Sequence, residues 1–370
     1  MDLAAISAKQ GAFYVPAFSV LIAGEDLLHK HLIAVSQVEA DLVLSAAGRF
    51  SFTVVDAYSI EHHAFISGRG GPVLEILTFG APVAIKMGYG DASALSTIIT
   101  GTITEISTSF PETGYPELSI AGYDGAFPLT VGKNSRTWTQ ASDSDAVAEI
   151  ARFHNLTGDI ETTKEKFPQI EQKEEADLEF IKKLAERNHF EFYVREDTLR
   201  FGKPRDKRDG AIRLSWGKGL LSFKPEANLA VQVAAVEVHG WHLHTKQPIV
   251  GRASAGDESG REARSKSAAD LLLKPNYKRP VLKLRQPVFS QADADNRARA
   301  ALNERAKQFL TGDAECIGSP DIRPDNNVTL DNLGVPFSKT YYVQQATHKV
   351  DSNGYRTRFK IKETSLEIKT

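Results

Sequence analysis

The sequence predicts an α+β protein that is mostly β, with two β units of similar size flanking a small α/β unit. Three observations predict it. Apolar residues alternate with polar ones at period two through the first and last parts of the chain. The period turns helical at only three places, near Ser142, Glu174 and Ser290. The chain then closes on TYYVQQATHKV, DSNG and YRTRFKIKE, a strand, a turn and a strand.

Taken in order, residues 1–16 read as a loosely held start. Phe18, Val20 and Ile22 alternate and run into Gly24-Glu25-Asp26, a turn. Phe50, Phe52 and Val54 form the next strand, and Val83, Ile85, Met87 and Tyr89 another. Strands over 98–106 and 117–121 are parted by Pro111-Glu112-Thr113-Gly114, and 61–79 reads as loop. Such short strands suit a barrel or sandwich, and residues 1–130 form the first β unit. Ser142-x-x-Asp145 resembles a capping box, with Val147, Ile150, Ala151 and His154 at helical spacing. A second helix over 174–188 and a hairpin of Phe190, Phe192, Val194, Leu199 and Phe201 complete an α/β insert, 131–205.

Strands of the second β unit occupy 206–244. Residues 245–280, which include GRASAGDESGREARSKS and almost no aromatics, read as a flexible linker. Residues 281–370 supply a strand, a helix opened by Ser290-x-x-Asp293 and the closing meander. That helix buries Ala294, Ala298, Ala301 and Leu302, with Phe309 beyond. In the last strand Tyr355, Thr357, Phe359 and Ile361 take the core face and Arg356, Arg358, Lys360 and Lys362 the other.

At 370 residues, 41% hydrophobic and 25% charged, the chain can bury more than one core. A net charge of −2 gives no global pull toward nucleic acid or anionic membrane. No apolar run approaches the ~18 residues of a membrane span, so the reading is a soluble protein made in the cytoplasm. One cysteine, Cys316, excludes an intrachain disulfide and reads as a small buried hydrophobe.

Candidate chemistry is sparse. His239, His242 and His244 cluster, but on a strand only His242 and His244 share a face, and zinc wants three or four ligands. His348 would have to reach them through the fold. Glu61, His62 and His63 are adjacent and diverge on any regular element. Asp143, Asp145, Asp293 and Asp295 stand at helix starts, where capping and the macrodipole explain them. His154 at a helix end complements the opposite pole. There is no G-x-S-x-G, and GRGG at 68–71 lacks the context of a phosphate loop. The basic run 203–208 has no interleaved aromatics and reads as a solvated connector.

Several short motifs share one order. They are MGYGD (87–91), ITGTITEI (99–106), GYPELSIAGYD (114–124), DLEFI with Leu184, LSWG (214–217), VEVHGW (236–241), SQADADNRARAALNE (290–304) and the meander from Gly318-x-Pro320 to Phe359. Together they resemble the phage late-control protein D family and the hub portions of valine-glycine-repeat proteins, the central baseplate hub of contractile injection machines. The resemblance rests on Gly88, Tyr89, Gly101, Gly122, Asp124, Asp177, Phe180, Leu184, Trp216, Gly240, Gly318, Pro320, Tyr342, Val343, His348, Gly354, Tyr355, Thr357 and Phe359, carried as structural positions. It implies two similar antiparallel β-barrels in a trimeric ring with pseudo-six-fold symmetry, adapting a hexameric inner tube to a trimeric spike. The ring would also meet other baseplate proteins. It implies no catalytic, metal or cofactor site, no required nucleic-acid contact and no membrane insertion. The expected place is a phage tail or injection particle assembled in the bacterial cytoplasm, including particles released outside the cell. Unlike the longer fused proteins, the chain stops near Thr370, so the spike is expected as a separate polypeptide. A baseplate-carried cell-wall hydrolase, with paired carboxylates in a cleft, and a surface-binding adhesin are the alternatives.

Overall fold

The computed structural model describes residues 15–206, 212–242, 246–259, 265–274 and 276–367. Strands of four or more residues and helices of ten or more are numbered here. The first β unit contains β1 (Pro16–Ile22), β2 (Ala34–Val43), β3 (Arg49–Val55), β4 (Pro82–Tyr89), β5 (Ser96–Ser109) and β6 (Glu117–Asp124). They form an antiparallel sheet in the order β1-β4-β5-β6-β3-β2. The alternation read from the sequence decides its faces: Phe50, Phe52, Ile85, Met87 and Ile120 all point into one core. Burying each such side chain is worth about 1.5–3 kcal/mol. Residues 61–79, expected as loop, hold only a two-residue strand, Ala64–Phe65, and a single helical turn, Val73–Ile76.

The middle unit contains β7 (Asn134–Ser142), α1 (Asp143–Phe153), β8 (Thr157–Ile160), β9 (Lys166–Glu175), α2 (Asp177–Asn188), β10 (Glu191–Arg195) and β11 (Thr198–Gly202). Ser142 and Asp145 form the expected capping box. The second helix starts at Asp177, three residues later than the expected 174, because Lys166–Glu175 is extended and pairs with β7. That strand's sequence, KFPQIEQKEE, is too charged to show its alternation, yet Phe167 and Ile170 are buried.

Next come β12 (Ile212–Trp216), β13 (Gly219–Ala227), β14 (Ala235–His242), β15 (Gln247–Ser254), β16 (Val281–Arg285) and α3 (Gln291–Ala306). The chain ends with β17 (Leu310–Ile317), β18 (Asn327–Asp331), β19 (Lys339–Asp351) and β20 (Gly354–Glu363). Six of these close a barrel, β19-β18-β12-β13-β17-β20, with β20 pairing back to β19. Its core holds Leu214, Leu220, Ala314, Val328, Tyr341, Val343 and Phe359.

Three expectations are corrected. Only one barrel closes among the described residues. The first sheet instead runs on through β2 to β19, so both β units share a single sheet. The reason is that β2 finds its outer partner on β19 and not on β1. Second, the stretch expected as linker carries β15 and a short capped helix, Ala268–Leu272. Its small residues serve close packing: a Cβ on Gly251 would lie 2.2 Å from the backbone of Ala294 in α3. Third, β14, β15, β16 and α3 do not enter the barrel. They make a separate three-stranded layer whose core is Val236, Val238, Ile249, Ala294, Ala298 and Leu302. No helix among the described residues is long and apolar enough to cross a membrane.

Candidate functional site

Five of the residues carrying the resemblance, Tyr89, Gly318, His348, Tyr355 and Thr357, meet at the seam between the two β units, built around β19. The first part of this 13-residue strand pairs with β18 and the second with β2, while β20 covers its other side. The register slips between Val343 and Gln345, near where the strand exchanges one partner for the other. Behind the slip, the buried His348 imidazole links three segments. Its Nε2 lies 3.0 Å from the carbonyl of Ile322, which can only accept, so Nε2 carries the proton. Nδ1 therefore accepts, from the Tyr355 hydroxyl at 2.9 Å and the Thr357 hydroxyl at 3.2 Å. Burial, with the charge of Arg323, pushes the His348 pKa down to about 3, so the ring is neutral. Thr357 Oγ1 also accepts from the Ser319 amide at 3.0 Å.

Gly318 completes the seam. Its amide donates to the Tyr355 carbonyl and its own carbonyl accepts from the Tyr89 hydroxyl at 2.9 Å. A Cβ here would lie 2.0 Å from the Tyr355 ring, so only glycine lets the loop cross that ring. Tyr89 packs on Tyr355 with centroids 5.7 Å apart. Val350 and Tyr355 from the last hairpin thereby belong to the core of the first unit.

Three carboxylates stand out, and one of them, Asp325, ties in the middle unit. Asp325 accepts from the Tyr342 hydroxyl at 2.8 Å, the Tyr193 hydroxyl at 3.4 Å and the Arg205 amide at 2.9 Å. Asp177, at the start of α2, accepts from Arg136, Gln172 and Asn134 and bonds the His154 ring at 2.7 Å. Burial would raise its pKa, but the hydrogen bonds from Gln172, His154 and Arg136 and the Arg136 charge hold it below the usual carboxylate range. Asp124, ending β6, accepts the Gly48 and Ala126 amides, each at 2.9 Å. Burial pushes it up to about 7, and those two bonds offset only part of the shift. It borders a cavity of about 300 Å³ together with Leu42, Ile98, Tyr193, Glu196 and Arg323. Arg323 spends its guanidinium on the carbonyls of Pro320, Ile98 and Thr97.

The remaining motif residues lie apart from the seam. Gly88 is buried in β4. Gly101 and Gly122 let β5 and β6 approach: a Cβ on either would lie within 2.0 Å of a backbone carbonyl, of Tyr123 and Thr102 respectively. Phe180 stacks on Trp138 at 5.3 Å, and Leu184 lies in the same core. Gly240 faces Val288, and Gly354 turns the last hairpin with φ +95°. Pro320 supplies a carbonyl to Arg323, and Val343 and Phe359 fill the barrel. Trp216 is 61% exposed and supports no core. Sequence reasoning missed Ser319, Ile322, Arg323, Asp325 and Gly48, because their partners lie far along the chain and no local period marks them.

The weighed chemistry resolves locally. His239 bonds Glu237, two residues away, at 3.0 Å. The His242 side chain and His244 lie outside the described residues, and His348 is engaged in the seam. No group of three His, Cys, Asp or Glu could hold a metal ion among the described residues. Asp143 bonds Arg187 and Asn188, Asp293 bonds Arg297, and Asp295 accepts from Gln291. His62 bonds Ser59. Cys316 is wholly buried and its thiol pKa is pushed far up. Lys203 and Arg205 pair with Glu161, Asp159 and Asp325, while Lys207 and Arg208 lie outside the described residues.

The arrangement is shared over full length with solved structures. The prophage MuSo2 43 kDa tail protein from Shewanella oneidensis superposes with a TM-score of 0.70 at 12% identity, covering 94% of this chain and 98% of that one. A tail protein from Neisseria meningitidis MC58 gives 0.68 at 15%, covering 95% and 97%. The E. coli c3393 protein is described as a type VI secretion component similar in structure to T4 tail proteins gp27 and gp5. It gives 0.56 at 12%, covering 92% and 76%. At these identities the likeness is one of fold. No curated protein matches in sequence. The family model described as the Alg8 N-terminal domain matches residues 15–352. The chain belongs to the Alg8 N-terminal domain family.

Proposed function

We propose that this protein is a non-enzymatic structural component of a phage tail or contractile injection baseplate, its central hub. In this reading three copies form a ring that meets a hexameric inner tube on one side and a trimeric spike on the other, as the resemblance to late-control protein D implies. The observation that carries the reading is the single sheet running through both β units along β19. Two β units bound by one strand and a buried neutral network hold a fixed mutual angle. A three-fold ring needs such rigidity to present six near-equivalent positions. The full-length fold likeness to two tail proteins supports the same reading. The first β unit (1–130) and the barrel with its inserted layer (206–370) would supply the two kinds of position, with the α/β unit (131–205) between them.

Light scattering of the chain alone, and mixed with candidate spike and tube proteins, tests this. A trimer, or a three-to-three complex with spike, is expected, with a ring of pseudo-six-fold outline by electron microscopy. A monomer that binds neither partner overturns it, and peptidoglycan hydrolysis by that monomer would favour the hydrolase reading.

A further inference from the structure

Two strand edges are covered on one side only, and they carry opposite charge. The first is the outer half of β5. Strand β4 reaches only to Thr102, so Glu105 to Ser109 bond β6 on one side and nothing regular on the other. The tip beyond is exposed, with Phe110 at 60% and Tyr115 at 76%. Between Gly101 and Tyr123 the sequence contains Glu105, Glu112 and Glu117 and no lysine or arginine. Among the described residues one cation from elsewhere reaches it: Arg49 pairs with Glu105 at 2.8 Å.

The second edge is β16, which pairs with β14 and has no other strand neighbour among the described residues. Val281, Lys283 and Arg285 project from it exposed, preceded by exposed Lys274, Tyr277, Lys278 and Arg279. From Leu271 to Ala292 the sequence has no acidic residue. Only Lys283 has an acidic group at ion-pair distance among the described residues, Glu237 at 3.9 Å, which it shares with His239 and Arg252.

We infer that the β5–β6 tip of one copy adds itself as a strand to the basic edge of β16 in the next copy. Uncovered strand edges offer a row of amides and carbonyls that pair with another strand. Lysine and arginine on β16 repel a second basic edge and admit an acidic one, which sets the partner. Tyr115 carries a ring that Arg279 or Arg285 can cover, and Phe110, packed edge-on to Tyr58 of its own copy, keeps an exposed face beside it. The two patches differ and sit in different parts of the fold, so the contact is heterologous and runs head to tail, as a ring requires. The inference rests on the trimeric reading above and names the surfaces that form it.

Cross-linking and charge reversal test it in the full chain. Ser107→Cys and Lys283→Cys combined in one chain and treated with a short bismaleimide should yield covalent dimers and trimers, and the two single variants mixed should yield covalent dimers. Neither single variant alone should cross-link, since native Cys316 is buried. Glu112→Lys with Glu117→Lys should weaken the trimer about tenfold, as should Lys283→Glu with Arg285→Glu, and joining the two pairs should restore it. All these positions are exposed, so the fold of each chain should be kept, read by circular dichroism of the dilute protein. A trimer that neither reversal weakens and that does not cross-link overturns this interface and leaves the hub reading standing. A wild-type chain that stays monomeric at every concentration overturns both.

Discussion

The two β units reach closure by different means. The C-terminal barrel closes with its own strands, β20 returning to β19. Among the described residues the N-terminal sheet has no such return, and it borrows β19, together with Val350 and Tyr355 from the last hairpin. The middle unit differs again, leaning on buried charge at Asp177 where the seam uses a neutral imidazole. The difference teaches that the first unit is conditional on the barrel, while the barrel's own ladder is complete without it.

The sharpest way to break this asymmetry is Gly318→Val. The added side chain meets the Tyr355 ring, which fills the first unit's core and bonds His348 on β19, so stability should fall by about 4 kcal/mol or more. Calorimetry should show both β units melting together. Asp177→Ala should cost about 3 kcal/mol by leaving Arg136 partly buried without its carboxylate. Hydrogen exchange should place that loss in 131–205 and spare the barrel. His348→Leu should cost about 2 kcal/mol by stranding the Ile322 carbonyl and the Tyr355 hydroxyl. Its exchange signature should be faster opening of β2 with the β17–β20 ladder still protected.

The smallest effects are in pH. The His348 pKa is depressed from 6.5 to about 3, so the unfolded chain takes that proton first and stability falls as pH drops through this window. Asp124 is raised from 3.8 to about 7, so the folded chain holds the proton more tightly and stability falls as pH rises through that window. The two slopes oppose each other between about pH 4 and 6.5. Asp124→Asn should flatten the loss between pH 5 and 8 by about 1 kcal/mol or more, read from chemical denaturation at each pH.

Much of this was legible where structure is local. The last hairpin announced itself because Tyr355, Phe359 and Ile361 alternate with arginine and lysine and Asn353-Gly354 turns it. The capping box at Ser142 did so because its two residues are three apart. The pairing of Val38–Val43 with Gln345–Val350 did not, since nothing in either strand encodes a partner some three hundred residues away. Strand β9 was hidden by its lysines and glutamates, and β15 by small residues that suit a helix overhead and read as disorder in isolation. The seam was half legible: Gly318, His348, Tyr355 and Thr357 stood out individually, but their mutual contact is a property of the fold. Trp216 stood out equally and packs into no core.

The borrowed strand also sets a schedule for synthesis. Asp124, the last residue of the first sheet's own strands, leaves the ribosome long before Val350, the residue that completes the edge of β2. At about 5–20 residues per second the wait lasts roughly ten to forty-five seconds. Through that interval the nascent chain carries an uncapped strand and an unfinished core, a state that invites mispairing with a neighbouring nascent copy. A chain truncated before the final hairpin never leaves it. The final hairpin therefore sets when the first unit is finished, and a copy lacking it exposes the outer edge of β2.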